Sequence, residues 1–420
     1  MTGTAALPPM FRIARRLPRP RVGDPGRATE DALARLDLAP RVAGRRIAVT
    51  AGSRGIRDIV PVLRAVVAHL RRLGADPVVV AAMGSHGGGV ADGQRRVLEH
   101  LGITEAALGA PVSTAMEAEV VGRTPEGLPV WCDAVAAACD GIVVVNRIKE
   151  HTGFFGPFGS GLMKMLAVGL GKVAGASQVH RHGPGAPMAG AIRAMARVHL
   201  ARGAVVAGVA IVENAYDETA HIEVVPPEHL PERELELFGL AQRLRPRLPL
   251  DDLDVLIVDA IGKDYSGTGM DPVVVGRMRV PGLPEPPAPR IRRIVALRLS
   301  AGSEGNAQGV GLADLVTQRL VDAIDRRATY LNAITSTFLQ RAFIPVTLPS
   351  DRDAITMALD TLGLADPREA RIVRIANTLH LETLLASEAA VAALRGQEGL
   401  EIGGPVPWRF APDGQLADLP

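Results

Sequence analysis

The chain is short of cysteine, aromatic residues and lysine, and each shortage closes off a class of function. Two cysteines in 420 residues, Cys132 and Cys139, are too few for a disulfide framework or a thiolate zinc site. Both border an apolar run and are read as buried thiols. Aromatic residues make up 3% of the chain and the formal net charge is +2. A nucleic-acid binder would carry a basic excess and stacking rings, so none is expected as a partner. No run of about 18 consecutive apolar residues occurs, so no membrane span is expected. Arg12, Arg15, Arg16 and Arg19 precede no long apolar core, unlike the arginines of a secretory signal. A cytoplasmic protein is the expectation.

The shortage of lysine is the most specific. Of 47 basic residues, 43 are arginine and four are lysine: Lys149, Lys164, Lys172 and Lys263. A composition biased towards arginine lets a position that needs only positive charge drift away from lysine. A position that needs a primary amine cannot drift, because a guanidinium stays charged and is a poor nucleophile. The surviving lysines are therefore enriched for chemistry. Three of the four fall in one stretch, Lys149, Lys164 and Lys172; for Lys149 and Lys172 no role appears that arginine could not fill.

A hydrophobic share of 47% and a charged share of 22% are those of an ordinary globular protein. The length predicts about two or three domains at ~150 residues each. RRIAVTAG, an amphipathic helix over 58–74, and PVVVAAMG form a βαβ unit. Both strands run into Gly-rich loops, GSRG and GSHGGG, and a third strand, DGIVVVNRI, runs into KEHTG. Parallel strands bind ligands beyond their carboxyl ends, so Arg54, His86 and His151 converge if the three strands share one sheet. Residues 154–185 read as a Gly-dense loop region holding Lys164, Lys172, His180 and His182. DLDVLIVDAIGKD opens a second domain. The expected architecture is α/β, with mostly parallel sheets in two domains, 1–250 and 251–420, and the active site in the cleft between them.

Several chemistries fail on spacing. GPFGSGLMK resembles a Walker loop, but Lys164 does not follow glycine directly and no Ser or Thr follows it. GLGKVAG lacks dinucleotide spacing, and there is no HExxH. His69, His100, His199, His221, His229 and His380 have no chemical company and are read as structural. His86, His151, His180 and His182 lie in Gly-rich segments, the last three near the lysines.

MGSHGGG at 83–89 and EHTGFFGPFGSGLMKMLAVGLGK at 150–172, followed by His180, resemble the lactate racemase family. Its members are α-hydroxyacid racemases and epimerases that use a nickel-pincer nucleotide. The resemblance implies that Lys164 carries this nucleotide (nickel pyridinium-3,5-bisthiocarboxylic acid mononucleotide) covalently and that His180 ligates the nickel, with His182 as the rival ligand. His86 and His151 would be the paired acid/bases, apt because imidazole titrates near pH 6.5. Ser53 and Gly161 would border the cofactor, and Arg54 would clamp the substrate carboxylate. Lys263, with Asp264, Asp271 and Arg277, would serve the substrate from the second domain. Cofactor-synthesis proteins would be transient partners. Two departures, Ala51-Gly52-Ser53-Arg54-Gly55 without the family's acidic residue and Gly87 after His86, imply an α-hydroxyacid larger than lactate. The alternatives are a non-catalytic nickel or nucleotide carrier, and an isomerase or dehydrogenase using a free nucleotide.

Overall fold

In chain order the strands are β1 (Met10–Arg15), β2 (Arg46–Ala51), β3 (Asp76–Ala81), β4 (Val112–Ser113), β5 (Ala118–Arg123), β6 (Pro129–Asp133), β7 (Gly141–Arg147), β8 (Val205–Glu213) and β9 (Thr219–Val225). They continue with β10 (Asp252–Ile261), β11 (Arg290–Leu299), β12 (Leu315–Thr317), β13 (Val346–Leu348), β14 (Ile372–Ile375), β15 (Thr383–Ser387) and β16 (Leu400–Val406). The structure, a computed structural model, describes residues 7–53, 55–153, 156, 158–181 and 186–419. The chain is mixed α/β with mostly parallel sheets and divides into two compact units, 18–245 and 1–17 with 246–420. Among the described residues no helix is long and apolar enough to cross a membrane.

The 18–245 unit is built on a six-stranded sheet of order β4-β3-β2-β7-β8-β9, parallel except for β9. Side chains alternate across a strand, and here both faces are apolar. Val49, Val79, Val143 and Val145 meet Val62, Leu63, Val66 and Leu70 of the helix Ile59–Arg72. Ala48, Val80, Val144 and Val212 meet Leu162, Met163, Met165, Leu166 and Phe238 on the other face. Each fully buried Val or Leu contributes about 2 kcal/mol before chain entropy is counted. This two-sided burial turns strands into continuous Val/Ala runs, as parallel sheets require. A hairpin of β5 and β6 stands apart from the sheet.

The second unit carries an eight-stranded sheet of order β13-β12-β11-β10-β14-β15-β1-β16. Its β13 to β14 half is parallel; β15, β1 and β16 add antiparallel. Residues 1–17, expected with the first domain, belong to this unit instead. The reason is β1: it is paired on both sides, by β15 and β16, and buries Met10 and Ile13 in this unit's cores.

The stretch expected as Gly-dense loop is largely helical: Leu162–Lys164, a π-helical turn Met165–Gly169, and Lys172–Arg181. Its glycines permit close helical contact. A Cβ on Gly171 would lie 2.6 Å from the Ala167 carbonyl oxygen and 2.8 Å from Gly175 Cα. Counting glycines points to a loop, but the buried run LMKMLAVGL decides the outcome.

Candidate active site

In the 18–245 unit, β2 and β7 are neighbours from which the chain proceeds in opposite directions across the sheet. This is a topological switch point, and the crevice beyond its carboxyl ends is where such sheets take ligands. The loops carrying Ser53, His86 and His151 leave the carboxyl ends of β2, β3 and β7. Ser53 Oγ makes a hydrogen bond with His86 Nδ1, which joins the first two loops. Arg54, the expected carboxylate clamp, lies outside the described residues.

The His86 loop is held from below by a buried side chain. Gln94 is fully buried, and its amide donates to the carbonyls of Gly84 at 2.9 Å and His86 at 3.2 Å. Gly87 has φ +65°, and a Cβ there would stand 2.6 Å from the Gln94 backbone nitrogen. Both conditions demand glycine. His86 itself stays exposed.

The His151 loop is closed at its base by a two-way backbone bridge between Lys149 and Ser160, at 2.9 and 2.7 Å. Four residues on, Lys164 is half-buried, with Nζ 3.5 Å from Ser160 Oγ. Asn146, at the end of β7, donates to the Gly161 carbonyl at 2.9 Å. A Cβ on Gly52 would lie 3.2 Å from Met165, and Gly84 N–H donates to the Gly169 carbonyl at 3.2 Å. The Lys164 segment therefore abuts the ends of β2, β3 and β7. The Gly153 N–H donates to His151 Nδ1 at 3.0 Å. In a neutral ring this puts the proton on Nε2.

One carboxylate here escapes a reading of motifs. Glu234 lies on the helix Leu230–Leu244, on the same stripe as Leu230, Leu237, Phe238 and Ala241. It is 1% exposed and accepts the Met163 N–H at 2.9 Å, at the start of the turn that carries Lys164. Burial pushes its carboxyl up to about 7, against the pull of the Met163 and Leu162 amides. A Cβ on Gly161 would stand 2.5 Å from Glu234 Oε1. Gly161, expected beside a cofactor, is thus glycine because this carboxylate occupies the space. An acidic residue on an apolar helical stripe is the signal that could have found it.

Lys172, read as a replaceable charge, is 1% exposed and ion-paired to Asp133 at 2.7 Å. The backbone of His180 lies in the helix Lys172–Arg181. Its side chain, and all of His182, lie outside the described residues. Among the described residues no three His, Cys, Asp or Glu side chains gather as a metal site. His199, read as structural, is buried in its helix, and burial pushes it down to about 4, so it stays neutral.

In the second unit β10 and β14 form a second switch point. Lys263 follows β10; its ammonium donates to the Gly267 carbonyl at 2.7 Å and to Asn332 Oδ1. Asp264 accepts from the Ser300 hydroxyl. Asp271 receives the Val273 N–H at 2.9 Å, and its own N–H donates to Thr378, just beyond β14. Tyr265 meets His380 edge-on at 6.3 Å. Arg277 is engaged inside its unit: it pairs with Asp314 at 2.7 Å and donates to the carbonyls of Ile291 and Leu312.

No family model and no curated protein matches the sequence. Among solved structures, the chain is similar to the lactate racemase apoprotein from Thermoanaerobacterium thermosaccharolyticum, with a TM-score of 0.54 and 12% identity. The match covers 88% of this chain and 98% of that one. At this identity the likeness is one of fold.

Proposed function

We propose that the chain is a racemase or epimerase of an α-hydroxyacid, with a nickel-pincer nucleotide attached to Lys164. The observation that carries the reading is the meeting of Ser53, His86, the His151 loop and the Lys164 segment at one switch point. The fold likeness to a lactate racemase supports the same chemistry.

The residues fit such a group. Lys164 supplies the primary amine that arginine cannot replace. Gly55, in the loop after β2, leaves open space beside the backbone, since a Cβ there would meet nothing within 4 Å. His180 is proposed as the nickel ligand, imidazole being a suitable donor. When bound, the group would supply an electrophilic carbon able to accept hydride from Cα of the substrate.

The protein's own task is to move the hydroxyl proton. His151, with Nδ1 occupied by the Gly153 N–H, presents Nε2–H as a donor when neutral. The Ser53 hydroxyl can accept Nδ1–H of His86, leaving Nε2 of His86 as a base. The two rings take opposite parts for the two enantiomers; His151 serves as the base only once its proton sits on Nδ1 and the Gly153 contact is given up, and each ring acts as the acid as an imidazolium. Arg54 is proposed to hold the substrate carboxylate. Lys263, Asp271 and Arg277 are proposed to serve the substrate.

The test is to express the chain in a host that makes the cofactor, then measure nickel and intact mass. An added mass on the peptide containing Lys164, absent from Lys164→Ala, is expected. Unmodified, nickel-free protein under those conditions would refute the reading. A carrier would take the adduct yet interconvert no hydroxyacid.

A further inference from the structure

We infer that Lys172 is a positioning residue: its buried ammonium, anchored by Asp133, fixes the carboxyl end of β3 and so sets where the His86 loop begins. The inference rests on the reading of His86 as an acid/base.

The geometry is a three-way junction. Lys172 Nζ lies 2.7 Å from Asp133 Oδ2 and donates to the Ala81 carbonyl at 2.7 Å. Ala81 is the last residue of β3, five residues before His86. Asp133 is itself tied on two sides. Its Oδ1 accepts the Ala136 N–H at 2.8 Å, and its N–H donates to the Leu170 carbonyl at 2.6 Å. Leu170 follows the π-helical turn that begins after Lys164. One ammonium thus joins the end of β3, the end of β6 and the segment that carries the amine proposed to hold the cofactor.

Three features set this lysine apart from a stray buried charge. Its φ is +53°, a left-handed conformation that residues with a Cβ rarely adopt. It is retained as lysine in a chain with 43 arginines. The junction gives it two acceptors, a carboxylate oxygen and a carbonyl; a planar guanidinium with five donors would leave several unsatisfied. Finally, a buried ion pair is a weak source of stability, since apolar replacements often do as well. Its retention here is accounted for by what it holds in place.

The test compares Lys172→Met, the double variant Lys172→Met/Asp133→Asn, and Asp133→Asn. Lys172→Met strands a buried carboxylate and should lose stability. The double variant removes both charges while its asparagine side chain can still cap the following turn, and should regain most of the wild-type melting temperature. Its loop should nonetheless be loose. Hydrogen exchange of peptides spanning 82–89 should quicken about tenfold or more, and the imidazole NMR titration of His86 should move. In matured enzyme, kcat should fall on the order of tenfold to a hundredfold, with KM little changed and the Lys164 adduct intact. Asp133→Asn removes the counter-charge and should lose stability, but the amine of Lys172, neutral once its carboxylate is gone, still donates to the Ala81 carbonyl, so its loop exchange should be slower than that of Lys172→Met. A double variant with wild-type loop exchange and His86 titration would overturn the inference. So would Asp133→Asn exchange as fast as that of Lys172→Met. Exchange and titration need neither substrate nor cofactor, so they judge Lys172 even if no hydroxyacid is turned over.

Discussion

Glu234→Gln should change how the stability of the 18–245 unit depends on pH. The carboxyl is buried at 1% exposure, is pushed up to about 7 from 4.5, and has no charged side chain among the causes of that shift. An unfolded chain releases this proton near 4.5, whereas the folded one holds it to about pH 7. Between those values the unfolded state binds fewer protons, so stability falls as pH rises, and it levels off above pH 7. At about 1.4 kcal/mol per pH unit the whole loss comes to about 3 kcal/mol. The amide of Glu234→Gln cannot ionise, so the variant's stability minus that of wild type should climb by about 3 kcal/mol between pH 4.5 and pH 8. The absolute cost of fitting an amide beside Gly161 cancels in that comparison. The chain has two tryptophans, Trp131 in one unit and Trp408 in the other. In a Trp408→Phe background, urea titrations followed by Trp131 fluorescence report the relevant unit alone. Wild-type and Glu234→Gln curves that stay parallel across this pH range would refute the account of Glu234 as a buried carboxyl.

Three further outcomes follow. Gly87→Ala forces a Cβ against the Gln94 backbone at positive φ and should cost about 1–3 kcal/mol, measured by the same fluorescence titration. Arg277→Met should cost the second unit about 1–2 kcal/mol, because Asp314 keeps its pair with Arg279 while the Ile291 and Leu312 carbonyls lose their buried donor; Trp408 fluorescence in a Trp131→Phe background checks it. His86→Gln and His151→Gln should each lower kcat by about 10²–10⁴ in matured protein while the Lys164 mass addition persists, read by chiral assay and mass spectrometry.

The parallel core of the first unit was legible because its strands are Val/Ala runs ending in glycine, and each burial face has its amphipathic helix. The loops of Ser53, His86 and His151 follow from that reading, and their strands do share one sheet. What escaped was non-local. Nothing in MFRIAR announces that β1 will pair with strands more than 350 residues away. Gly161, Gly171 and Gly175 look like loop residues until the atoms facing them are known. Lys172 shows the same limit from the other side. Its rarity was visible, but only burial against Asp133 and Ala81 explains why arginine would not serve. Arg277 entered only through the resemblance, and its bonds to the Ile291 and Leu312 carbonyls could not be read from sequence.

The central claim is that His86 and His151 move the hydroxyl proton of an α-hydroxyacid whose Cα hydrogen travels as hydride. The most direct measurement is chiral analysis of a panel of α-hydroxyacids labelled with deuterium at Cα, incubated with matured protein. The account predicts interconversion of at least one acid with deuterium retained at Cα, and little or none with His86→Gln. Wholesale loss of deuterium to solvent, or no interconversion by protein that carries the Lys164 adduct, would contradict it.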